Sequence, residues 1–321
     1  MATHSVAFWN LENLFDIAQS PRRSDKLERV LRSELAGWTQ AVLDGKLGQL
    51  ASVITRMNGG AGPDLLGVCE VENRFVLESL RDAVNAVLPG RLYDIVHADT
   101  RDGRGIDVAF LYDPAVFTPI ATFFHFIVKR SATRDLVQVN FQTASGRLFV
   151  VVGNHWPSRT GGQFESEPFR LIAGETLGYF HERIREVHGP NTPVLAMGDF
   201  NDEPADRSLA VHARGMRQRP KVTLAQSAAF LNLMWPIVGS GIGTHYFSNF
   251  ANVLDQFLAS RSLLTGAGGF QIRDETIEVV RFADMMGTGV YPAPIRYGRG
   301  TDVNPAGFSD HFPIAVTIEE D

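Results

Sequence analysis

Apolar residues at Leu43, Leu47, Leu50, Ile54 and Met57 recur in alternating steps of four and three, which places them on one face of a helix. Gly59, Gly60 and Gly62 stop that helix, and Pro63 stands before an apolar strand over residues 65–70. Leu77, Leu80, Val84 and Val87 repeat the helical pattern, with strands expected near 93–97 and over 107–112. The β-rich runs 136–142 and 148–154 flank Ser145 and Gly146, a hairpin turn signal. A long helix over 165–186, closed by Gly189 and Pro190, precedes a strand over 194–198. Pro204 suits the first turn of a helix after that strand. Further strands are expected over 5–10, 253–259, 276–282 and 313–318. Strands and helices alternate, but the hairpin favours mixed sheets over a purely parallel one. No repeat, linker or composition break interrupts the pattern, so residues 1–321 are expected to form one domain.

Composition narrows the function only a little. The chain is 44% hydrophobic and 21% charged, values of an ordinary globular protein with a sizeable core. A net charge of −6 argues against a protein built to coat nucleic acid non-specifically. It does not exclude a nuclease, because metal ions can supply positive charge locally. Cys69 is the single cysteine, so no internal disulfide forms, and its apolar surroundings suggest a buried small hydrophobe. No apolar run is long enough to span a membrane. The first residues enter a strand at once, leaving no room for a secretory leader, so a cytoplasmic location is expected.

The informative residues stand at the ends of the apolar runs. Five runs end, or nearly end, in groups that bind metals, move protons or donate hydrogen bonds. FWNLEN presents Asn10 and Glu12, GVCEVEN presents Glu70 and Glu72, and VGNHWPSR presents Asn154 and His155. MGDFND presents Asp199 and Asn201, and VLDQF presents Asp255. FSDHFP places Ser309, Asp310 and His311 before the last strand instead. Any one of these could be a turn, but the whole set is hard to attribute to turns. Strand ends are where ligands bind in α/β proteins. In MGDFND an extended chain would point Asp199 and Asn201 to one side and Phe200 back, with Asp202 and Glu203 starting the next helix.

Carboxylate and amide oxygens with almost no thiol select Mg²⁺, Mn²⁺ or Ca²⁺ rather than a structural zinc. No HExxH, CxxC, GxSxG, Walker or dinucleotide motif is present. What remains is an oxygen-ligated metal with two histidines, equipment for attack by water on a phosphate ester.

FWNLENLFD, GVCEVEN, GRGIDVAFLYD, GNHWPSR, MGDFND, LDQF and SDHFP occur in an order and spacing that resembles the endonuclease/exonuclease/phosphatase superfamily, over nearly the whole chain. The resemblance implies a four-layer α/β sandwich, two mixed β-sheets packed face to face with flanking helices, and a site where strand ends from both sheets meet. It implies that Glu70 is the principal metal ligand, with Asp310 and Asn10 contributing. Asp199 resembles the carboxylate that activates or orients the attacking water, and Asn201 its phosphate-binding neighbour. His311 resembles the histidine that stabilises the scissile phosphate, oriented by Asp255. His155 resembles a second histidine, and Asp107 stands where deoxyribonucleases carry its acidic partner. From their chemistry alone, Arg104, Arg159 and Arg170 are candidate phosphate clamps. Glu12 is read either as an outer metal-shell residue or as an exposed cap, and Thr244, His245 and Tyr246 as cleft residues or a structural turn.

Two departures bear on substrate. Nucleases of this superfamily often carry a basic residue two positions after the metal glutamate, where this chain has Glu72, whose charge would repel a phosphate backbone. The extra cleft tyrosine of apurinic endonucleases has no convincing counterpart. The CEVEN and NHWPSR forms look like a bacterial branch. The leading expectation is a divalent-metal phosphodiesterase using Mg²⁺ or Mn²⁺, with DNA or RNA first among substrates. The alternative is the same chemistry on a small phosphorylated molecule or lipid head group, and a non-catalytic binding protein ranks last.

Overall fold

Side-chain alternation and strand polarity account for the architecture of the computed structural model, which describes residues 1–321. One sheet has six strands in the order β14 (Phe270–Val279), β17 (Ile314–Glu320), β1 (Ala2–Leu14), β2 (Leu65–Val71), β4 (Asp107–Tyr112) and β3 (Asp94–Val96). The other has seven, in the order β5 (Phe117–His125), β6 (Leu136–Thr143), β7 (Leu148–His155), β8 (Val194–Asp199), β13 (Asp255–Ser260), β10 (Phe230–Asn232) and β9 (Gly215–Met216). Both are mixed: β1 and β2 run parallel, as do β7 and β8, while β17, β4 and β13 run antiparallel to their neighbours. Phe8, Phe110, Phe141, Met197 and Phe257 fill the space between the sheets.

The outer faces carry the helices. Leu43, Leu47, Leu50 and Ile54 of α2 (Gln40–Gly60) and Leu77, Leu80 and Val84 of α3 (Arg74–Val87) pack on the first sheet. Ala173, Leu177 and Ile184 of α4 (Gln163–His188) pack on the second, beside Trp156 and Phe200. The result is the expected four-layer sandwich. The helical path of α2 breaks at Met57, with Asn58 and Gly59 at positive φ, where the glycine cluster was expected to stop it. No helix is long and apolar enough to cross a membrane.

Some elements differ from the pattern. No α-helix starts at Pro204; a five-residue π-helical turn, Ser208–His212, stands there instead. Asp202 and Glu203 are therefore cross-links rather than a helix start. Asp202 Oδ1 lies 2.7 Å from Arg170 Nε, and Glu203 accepts hydrogen bonds from Asn252 Nδ2 at 2.8 Å and from the Val253 amide. The edge strand β5 has Pro119 at a register shift, which hides it from alternation. Two short hairpins, β11 (His245–Phe247) with β12 (Phe250–Asn252), and β15 (Gly298–Arg299) with β16 (Asp302–Val303), are likewise too short for a periodic signal.

Candidate active site

Strand polarity gathers the polar motifs on one edge. β1, β2, β7 and β8 present their C-terminal ends there, whereas the antiparallel β4, β13 and β17 present their N-terminal ends. That is why SDH precedes its strand and Asp107 and Asp255 open theirs, the latter against the expectation that VLDQF closes a strand, while the motifs of β1, β2, β7 and β8 lie at their C-terminal ends. Asp255 lies directly opposite Asp199 in the ladder, and Asp199 opposite His155.

Asp199 is the hub. Its Oδ1 accepts the Asn201 amide at 2.9 Å, and its Oδ2 accepts Asn10 Nδ2 at 3.1 Å. Oδ2 also lies 3.8 Å from His155 Nε2 and 4.0 Å from His311 Nε2, too far for direct hydrogen bonds and close enough to share a bound oxygen. Burial raises the Asp199 carboxyl to about 6, against the opposing charge of His311.

The two histidines are tuned apart. Burial alone would lower His311, but the Asp255 carboxylate 2.7 Å from its Nδ1 outweighs that and holds it well above the ordinary imidazole value. Burial, reinforced by Arg134 and Arg104, drives His155 well below that value. At neutral pH His311 is thus a cation and His155 a neutral imidazole, the separation expected of groups with different proton-transfer duties.

His155 does not receive Asp107 as its partner. Asp107 accepts the Thr100 amide at 2.9 Å and hydroxyl at 2.6 Å, and faces His97 at 3.3 Å. His155 Nδ1 is buried without a partner, and its Nε2 lies 3.8 Å from Glu70 Oε1. Thr100 and His97 reach Asp107 because it stands at the start of β4, one strand beyond the end of β2.

Glu70 sits at a bulge in β2 with φ 63°, a backbone strain of the kind held at functional sites. Its Oε2 accepts the Asn13 amide at 2.8 Å, leaving Oε1 toward the cleft. Asp310 belongs to a segment stapled to β1 by Ser309 Oγ to the Asn10 carbonyl at 2.7 Å and Trp9 Nε1 to the His311 carbonyl at 2.9 Å. Glu70, Asp310 and Asn10 offer only hard oxygen donors, which suits a divalent cation of the Mg²⁺ or Mn²⁺ type. Asp199, Asp255 and His311 lie close enough together to hold an ion, but the hydrogen-bonded His311 cation is a poor ligand.

Asn201 departs from the extended geometry. With φ 52° it turns back, donating from Nδ2 to the Trp156 carbonyl at 3.1 Å, while Phe200 packs edge-on against Trp156 as alternation required. The three arginines separate. Arg104 is partly exposed and bonds Asn13 and Glu34, near the cleft. Arg159 Nε donates to the Asn201 carbonyl at 2.7 Å, and its Nη2 donates to both Asp202 and Asp206. Arg170 is fully buried against Asp202 and Ser166, so its guanidinium supports the site from behind and clamps no phosphate.

Glu12 is no exposed cap: it is completely buried among Arg296, Tyr297 and Gly298, and its amide donates to Asn10 Oδ1, behind the candidate metal ligands. Thr244 is structural, its Oγ1 accepting the Leu254 and Asp255 amides. The His245 ring lies 4.7 Å from that of His311, tilted by 38°, and burial lowers it to about 4. Tyr246 turns away, its hydroxyl reaching Gly241. Glu72 is buried in an ion pair with Arg23 at 2.6 Å, so its charge is compensated.

Two residues escaped sequence reading. Arg134 donates to the His155 and Trp156 carbonyls, at 3.2 and 2.8 Å, from an irregular segment with no pattern to mark it. Lys46 is fully buried, and burial lowers it to about 8 against the pull of Glu12, Asp310 and Glu70. Its signal was present: position 46 lies three residues after Leu43 and four before Leu50, on the apolar face of α2.

A sequence profile described as "Endonuclease/Exonuclease/phosphatase family" matches residues 5–320. No curated protein matches the chain by sequence. Among solved structures, an endonuclease/exonuclease/phosphatase family protein from Bacteroides thetaiotaomicron is similar, with TM-score 0.57, 15% identity, and coverage of 100% of this chain and 98% of that one. The human Nocturnin catalytic domain with bound sulfate anion gives TM-score 0.58 and 16% identity over 99% and 94%. A mannosyl-6-phosphatase from Bacteroides thetaiotaomicron gives 0.54 and 17% over 98% and 99%. At these identities the structural likeness carries the fold alone.

Proposed function

The chain belongs to the endonuclease/exonuclease/phosphatase family, and on that premise we propose that it hydrolyses a phosphodiester by attack of water, with nucleic acid as its substrate. One observation carries the reading. Asp199 Oδ2 stands 3.8 and 4.0 Å from two imidazole nitrogens, one neutral and one cationic, on the edge where Glu70 and Asp310 gather. A divalent cation held by Glu70, Asp310 and Asn10 would neutralise non-bridging phosphate oxygens.

The protein's own groups perform the proton work. Asp199, ionised above about pH 6, orients the water and accepts its proton as the oxygen approaches phosphorus. The His311 imidazolium, fixed by Asp255, donates hydrogen bonds to phosphate oxygens, stabilises the charge that develops, and passes its Nε2 proton to the leaving oxygen as the bond from phosphorus to that oxygen breaks. Neutral His155 offers Nε2 to the same oxygens, and the second Nδ2 hydrogen of Asn201 is free to donate to phosphate. The Arg23 pairing of Glu72 removes one obstacle to a nucleic-acid backbone.

A second reading is favoured by the net charge of −6 and by the phosphatase among the structural neighbours: the same chemistry on a small phosphorylated molecule. Turnover assays with Mg²⁺ or Mn²⁺ on plasmid DNA, RNA, bis-p-nitrophenyl phosphate and a monoester analogue, beside Asp199→Ala, separate the two. Cleavage of DNA or RNA lost in the variant supports the leading reading. Turnover confined to the monoester shifts the assignment to a phosphatase, and no turnover on any diester contradicts it.

A further inference from the structure

β1 carries a bulge between Asn10 and Leu14 in its pairing with β2, and within it Glu12 and Asn13 both adopt positive φ, 49° and 56°. Two consecutive non-glycine residues in that region persist only where the surroundings over-determine them. The turn delivers two amides to the site. Glu12 N–H donates to Asn10 Oδ1 at 3.0 Å, and Asn13 N–H donates to Glu70 Oε2 at 2.8 Å. Each bond fixes the orientation of a candidate metal ligand.

Glu12 pins the turn from both ends. Its carboxylate accepts Arg296 Nε at 2.8 Å, the Tyr297 amide at 2.8 Å and the Gly298 amide at 3.2 Å, so both oxygens are occupied. Its carbonyl accepts the ammonium of Lys46, which is fully enclosed under Trp38 and Tyr297. A buried carboxylate with a buried lysine is a costly way to fill space that apolar side chains could fill. Its distinctive product is the geometry of the two amides.

We propose that Glu12, held by Lys46 and Arg296, is a positioning residue that aims Glu70 Oε1 and Asn10 at a divalent cation without ligating it. The proposal rests on the reading of Glu70 as a ligand. Partners of this kind typically govern metal affinity about tenfold to a hundredfold. Arg296 is half-exposed, so Arg296→Gln leaves the core untouched, and Glu12→Gln keeps the volume of the buried side chain.

Two measurements decide the matter. Mn²⁺ binding, followed by electron paramagnetic resonance on the protein alone, should weaken by about tenfold or more in Glu12→Gln and by less in Arg296→Gln. Amide hydrogen exchange at Asn13, read by NMR without metal, should rise by about tenfold in Glu12→Gln as the bond to Glu70 loosens. A variant that melts earlier yet keeps wild-type Mn²⁺ affinity and wild-type Asn13 exchange makes Glu12 merely structural and overturns the proposal. Should wild-type protein bind no Mn²⁺, the metal-dependent phosphodiesterase reading fails, and Asn13 exchange still decides whether Glu12 holds the turn.

Discussion

Asp199 shows most clearly how chemistry and stability oppose one another at a single residue. Its carboxyl is raised from 3.8 to about 6, so the native state binds its proton more tightly than the unfolded chain does. Ionisation therefore costs stability, beginning above about pH 4 and complete above about pH 6, on the order of 1–3 kcal/mol. Asp199→Asn should raise the thermal midpoint at pH 8, lose that gain near pH 4, and abolish turnover; an unchanged midpoint at pH 8 would refute the burial cost. His311 gives a second test. Asp255 holds the imidazolium, so Asp255→Asn should move the alkaline limb of the rate profile to lower pH by a unit or more. A limb that stays in place would show that another group titrates there. At this scale the sequence identified residue types well and partners poorly. The His311–Asp255 pair follows from motifs, but Asp107 found His97 and Thr100, because which side chain faces which depends on loop 97–106, where no periodicity constrains the chain.

Elements decide whether these groups meet. β7 and β8 run so close that a Cβ on Gly198 would stand 2.2 Å from the Asn154 carbonyl oxygen. Gly198→Ala should therefore cost about 1–3 kcal/mol and lower turnover further than stability, because it drives His155 from Asp199. Thermal melts beside kcat at a temperature where the variant is folded check this; full activity in a folded variant would contradict it. The long amphipathic helices and buried strands were legible because each repeats its pattern several times. β9, β10 and both short hairpins repeat too few times to register, and the acidic run after Asp199 imitated a helix start while serving Arg170, Asn252 and Val253.

Across the whole molecule, the antiparallel strands explain how motifs both preceding and following their strands reach one edge, an arrangement that single motifs could not have shown. Net charge belongs to this scale too. At −6, a polyanionic substrate of the proposed kind would have to be drawn by local groups, with Arg104 and a bound cation as candidates. A nucleic-acid substrate contacting several phosphates should bind with an affinity that falls steeply with salt, by about 0.7–0.9 in log K per log salt for each contact. Affinity flat in salt would indicate a small substrate instead. In the proposed reaction, an oxygen-ligated metal, Asp199 and His311 act together on a phosphodiester. Release of p-nitrophenolate from bis-p-nitrophenyl phosphate tests it, assayed with Mg²⁺ or Mn²⁺, after chelation, after re-addition, and in Glu70→Ala, Asp199→Ala and His311→Ala. Turnover should vanish on chelation, return with the cation, and fall by at least about a hundredfold in each variant. Turnover indifferent to chelation, or a variant retaining the wild-type rate, would contradict the account.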